Sequence, residues 1–139
     1  MGLEIQPAPV SKAALWAGRV ASALPALMLL VSGVMKLVKP AAVVEGFTHL
    51  GWDERLALGL GVLELACTII YVIPRTSVVG AILLTGYLGG AILTHLRVGE
   101  PFFIQFGFGV VIWGGLYLRD PRLRELILLR RCRRFDNPN

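Results

Sequence analysis

Residues 56–73 read LALGLGVLELACTIIYVI, a run with a single charged residue, Glu64. Pro74 and Arg75 interrupt it, and residues 77–96 then resume as SVVGAILLTGYLGGAILTHL. A helix rises about 1.5 Å per residue, so some twenty apolar residues match a hydrocarbon core of about 30 Å. The two runs therefore predict two membrane-crossing helices. The turn around Pro74 is so short that they must be antiparallel neighbours.

Working outward, residues 14–38 and 102–118 supply two more apolar spans, and Pro25 is expected to kink the first. The first run is longer than the hydrophobic region of a signal peptide. It ends in Gly33, Val34, Met35, Lys36 rather than at a small-x-small cleavage site, so it reads as a true span. Between spans one and two, Pro40 suits a helix start and Gly51 a helix end. Val43, Val44, Phe47 and Leu50 share one side there, with Glu45 and His49 elsewhere. A short amphipathic helix on the outer surface is predicted, followed by Trp52 as an interfacial anchor. The resulting fold class is all-α: an integral membrane four-helix bundle with a 1–13 leader, a 14–118 transmembrane domain and a 119–139 basic tail.

Composition agrees. The 139 residues are 55% hydrophobic and only 17% charged, with mean hydropathy +0.69, against about 25% charged for soluble domains. Seven of the 14 basic residues are arginines between Arg119 and Arg134, directly after the last apolar run. A basic cluster in that position sets topology and attracts anionic lipid headgroups, so the net charge of +5 does not indicate nucleic acid. Lys12, Arg19, Arg75 and the seven tail arginines make ten on the side of the termini, against Lys36, Lys39, Arg55 and Arg97 on the other. The imbalance predicts both termini in the cytoplasm. Residues 120–134 are expected to form a surface helix begun by Pro121. Cys67 in a span and Cys132 in the tail do not read as a redox pair.

Ionisable groups inside spans mark function, because a charge at the helix centre costs about 2.5–3.5 kcal/mol on insertion scales. Glu64 is the sharpest such residue. Lys36 lies near the outer end of span one, with Ser32 one turn deeper on the same face. His95 ends span three, with Tyr87 two turns below, and Gln105 enters on span four. Lys36, Glu64, Tyr87, His95 and Gln105 all fall in the outer half of the bilayer, which predicts one polar layer with Glu64 and Lys36 as partners and Ser32 beside them. Gly86, Gly89, Gly90, Gly107 and Gly109 are expected to let helices approach closely. No metal site is predicted, since His49 and His95 form no ligand motif. No nucleotide fingerprint or nucleophile elbow is present. A proton-coupled transporter finds no internal repeat to support it.

The chain resembles the DoxX-like family of small four-helix membrane proteins. The resemblance is carried by SGVMKLVKP (32–40), GVLELA around Glu64, IPRT (73–76), GYLGGAILTHLR (86–97) and LYLRDPRLR (116–124). It implies a membrane subunit of the kind found in quinone-linked oxidoreductase assemblies, while more distant relatives look like membrane chaperones or cargo factors. Taken with the polar layer, the expected function is binding of a quinone or other lipophilic molecule in a bacterial cytoplasmic membrane beside a redox partner. No electron carrier is visible in the chain itself, and a non-catalytic assembly factor is the alternative.

Overall fold

The computed structural model describes residues 11–121, 123 and 124. Five helices follow in order: α1 (Lys12–Val38), α2 (Ala41–His49), α3 (Arg55–Val72), α4 (Ser77–Arg97) and α5 (Phe103–Arg119). The boundaries have local causes. Ser11 caps α1 by accepting from the Ala14 amide at 3.2 Å, so the helix starts at Lys12, within the expected leader. Lys39 stops α1 in a left-handed conformation (φ 53°), and Pro40 then opens α2. Asp53 Oδ1 accepts from the Arg55 amide at 2.8 Å at the start of α3. Ile73, before Pro74, is extended and ends α3. The leader up to residue 10 and the tail beyond Arg124 lie outside the described residues; of the surface helix expected over 120–134, Pro121, Leu123 and Arg124 are helical, with Leu123 buried, and the rest of it falls outside them.

Helices α1 and α4 each pack against both α3 and α5, so the four long helices form a ring. Their outward side chains are large and apolar: Val20, Leu24, Leu27 and Val31 on α1, Ile69 on α3, Ile82 on α4 and Ile104 on α5 are all exposed. Such a surface is stable against acyl chains and not against water. Three helices, α1, α3 and α4, are long and apolar enough to cross a membrane, and α5 is a shorter apolar helix. At about 1.5 Å per residue its 17 residues cover about 26 Å, the lower limit for a span.

The ring is solid at one end and hollow at the other. Toward the chain ends, Tyr71, Ala81, Leu84, Ile112 and Leu116 are fully or almost fully buried in one cluster. Tyr71 donates to the Ile112 carbonyl at 3.0 Å, while Arg119 stacks over its ring and donates to its carbonyl at 3.1 Å. Arg124 donates to the carbonyls of Tyr117 and Leu118 at the end of α5. Two of the seven tail arginines are thus engaged in capping and closing the bundle.

The glycine expectation needs correcting. A Cβ at Gly86, Gly89, Gly90, Gly107 or Gly109 would meet nothing within 4 Å. The close approaches are at Gly18 and Gly115 between α1 and α5, at Gly33 and Gly61 between α1 and α3, and at Gly80 against the Tyr71 backbone. A glycine permits contact, but helix register and divergence decide which glycines meet a neighbour. Here α3 and α4 touch at Gly80 and separate toward Gly86 and Gly90. At Gly80 an added Cβ would sit 2.2 Å from the Tyr71 nitrogen and 2.3 Å from its Cα. We expect Gly80→Ala to cost about 3 kcal/mol or more, at the upper end of overpacking effects. Gly86→Ala should stay within about 0.5 kcal/mol of wild type. Unfolding of both variants in detergent, followed by circular dichroism, provides the check.

Candidate functional site

Where the helices diverge they leave a partly open cavity of about 880 Å³, inside the range of small-molecule sites. Ser32, Lys36, Glu64, Tyr87, His95 and Gln105 all line it. Most of the remaining wall is apolar, including Met28, Leu29, Leu60, Leu88 and Phe108. Gly86 and Gly90 also line it, so the glycines expected at helix contacts instead contribute open volume.

The centre of the polar layer is built at the crossing of α1 and α3. Gly33 and Gly61 bring the two backbones together, and the Lys36 side chain passes directly over Gly61. Glu64 stands one turn further along that face. Lys36 Nζ donates to Glu64 Oε2 at 2.7 Å and to Ser32 Oγ at 2.7 Å, and Ser32 Oγ donates to the same carboxylate oxygen at 3.4 Å. The Glu64 side chain is only 2% exposed and that of Lys36 18%. A carboxylate so deep requires a cation, and the cation is provided by the neighbouring helix. Both contacts fall on Oε2, and Tyr87 lines the same cavity.

A second polar group lies toward the α2-bearing end. His95 Nδ1 is 2.8 Å from the Ala91 carbonyl oxygen, and its Nε2 is 3.1 Å from Gln105 Nε2 and 3.8 Å from Glu100 Oε2. Glu100 was not among the residues singled out from the sequence. It is a loop carboxylate after α4, a kind of residue usually left to solvent, and only the fold shows its role. Its Oε1 meets His49 Nε2 at 2.8 Å and so ties α2 to the α4–α5 turn. Arg97 adds two more ties, donating to the Leu50 carbonyl and stacking over the Trp52 ring. Phe47, Leu50 and Trp52 line the cavity, so α2 and its exit loop cover one end of it. The amphipathic face expected of α2 faces inward, with Phe47 buried and Val43, Val44 and Leu50 half-buried.

The arrangement therefore brings together an ion pair, a hydroxyl, a phenol and an imidazole–amide pair around an apolar chamber. It has the parts to hold the polar head of an apolar molecule and to exchange a proton with it. Cys67, also buried, lines the same wall. Among the described residues no group of three His, Cys, Asp or Glu side chains is placed to hold a metal ion.

A family model described as the DoxX-like family matches residues 20–115, a stretch that contains all six lining residues above. Neither the curated proteins nor the solved structures contain a match to this chain.

Proposed function

The chain belongs to the DoxX-like family of membrane proteins, and from that premise we propose that it binds a lipophilic small molecule of the quinone class in the cavity. One observation carries this reading: a chamber of about 880 Å³ with apolar walls collects the polar groups of four helices. In the proposed mode, Glu64 exchanges a proton with the bound head, Lys36 sets its charge state, Tyr87 hydrogen-bonds the ligand, and His95, whose ring nitrogens meet the Ala91 carbonyl and Gln105, bonds the ligand in place of Gln105. The chain has no evident electron carrier of its own, so any redox turnover is assigned to a membrane oxidoreductase partner. The lysine and arginine tally supports both chain ends in the cytoplasm, with the cavity toward the opposite face of a bacterial cytoplasmic membrane. The same tally supports contact between the basic tail and anionic headgroups.

The test is titration of decylubiquinone into the protein in nanodiscs, followed by tryptophan fluorescence, since Trp52 lines the cavity. Quenching should saturate, and Glu64→Gln should weaken it on the order of tenfold, as loss of a charged hydrogen-bond partner does. Quenching that rises linearly without saturation counts against the reading. One observation favours a second reading, an accessory or assembly subunit whose polar layer only fixes helix packing: the Lys36–Ser32–Glu64 contacts are complete without a guest. Under that reading Glu64→Gln lowers stability and leaves quenching unchanged.

A further inference from the structure

The chamber is covered at its α2-bearing end by Phe47, Leu50 and Trp52, and its sides differ in how well they are sealed. Lys36 and Glu64 bridge α1 to α3 at 2.7 Å. Trp113 Nε1 donates to Thr85 Oγ1 at 2.9 Å between α5 and α4. Helices α3 and α4 are tight at Gly80 and diverge from there. A residue of a long helix that lines the chamber and is also exposed stands at an edge of it. Leu56 and Leu63 on α3 and Leu83, Gly86, Gly90 and Leu93 on α4 do both. Between α1 and α5 only Met28 and Ile104 do. With Phe108, those two also line a separate apolar groove of about 280 Å³, so side chains stand there as a wall between two hollows. At the α3–α4 split, by contrast, a Cβ on Gly86 or Gly90 would meet nothing within 4 Å. The edges of that split carry no polar side chain, so it is suited to acyl chains and not to water.

We propose that the split between α3 and α4 is a lateral portal, through which a long-chain lipophile enters head first from the surrounding bilayer and in which its hydrocarbon tail remains. This rests on the lipophile-binding reading above and specifies its ligand class and route. The head reaches the Lys36–Glu64 pair while the tail runs out past Leu63 and Gly86 into the acyl chains, so tail length is not limited by the chamber volume. Tryptophan quenching in nanodiscs tests it, with decylubiquinone and with a ubiquinone carrying the full polyisoprenoid tail as probes. On a quinone-per-lipid scale the two affinities should agree within about threefold. In a Cys67→Ala, Cys132→Ala background, Leu63→Cys with Gly86→Cys, joined by a short bismaleimide, should slow association of both quinones at least tenfold relative to the unbridged protein. The same bridge between Leu24→Cys and Val111→Cys, across the α1–α5 groove, should leave the rate within about twofold. Unchanged association after the α3–α4 bridge, a loss confined to the α1–α5 bridge, or rejection of the long-tailed quinone overturns the portal and leaves the binding site standing. If folded unbridged protein, verified by circular dichroism, binds neither quinone, both the portal and the underlying reading fall.

Discussion

Replacing Lys36 by Met should lower the unfolding free energy by about 3–5 kcal/mol, the usual cost of stranding one member of a buried ion pair. The reason is geometric. Glu64 is 2% exposed and receives its cation from 2.7 Å away, and Ser32 alone, at 3.4 Å, cannot replace a full charge. Glu64→Gln should cost less, about 1–2 kcal/mol, because Lys36 is nearer the helix end and can extend toward the headgroups. The double variant removes both charges and keeps an amide for Ser32, so it should return to within about 1 kcal/mol of wild type. Denaturation in mixed micelles of all four proteins closes the cycle. A Lys36→Met protein as stable as wild type would mean that the pair does not hold α1 to α3.

The second large effect concerns volume. Gly90 lines the cavity and a Cβ there meets nothing within 4 Å, so Gly90→Phe adds a ring to empty space without a clash to relieve. Stability should change by less than about 1 kcal/mol, whereas decylubiquinone affinity should fall tenfold or more, at least about 1.4 kcal/mol. A merely structural polar layer predicts no loss, because the substitution touches none of the ion-pair atoms. Affinity and melting temperature measured side by side therefore separate a ligand chamber from an unfilled gap between helices.

Much of this was legible in the residues. Long apolar runs broken at Pro40 and Pro74 give the helix order, since a chain in lipid must satisfy its backbone within each segment. The Ser32, Lys36 and Glu64 grouping followed from one-turn spacing and depth alone, and the three are hydrogen-bonded in the structure. What stayed hidden depends on how far helices diverge, which local pattern does not encode. Gly86 and Gly90 look like a packing motif yet face open space, while the isolated Gly80 makes the tightest contact of the glycines. Glu100 reads as an ordinary loop acid until α2 and α4 are seen to meet through it. Phe47 reads as the apolar face of a surface helix and Trp52 as an interfacial anchor, and only the placement of α2 makes them cavity wall.

The chamber as a ligand site is tested most directly by native mass spectrometry of the protein released from nanodiscs made with its own membrane lipids. A folded wild-type protein should carry a bound small lipophile, displaced by added decylubiquinone, and Gly90→Phe should emerge without it. Bare wild-type protein, or the same adduct retained in Gly90→Phe, would contradict the account.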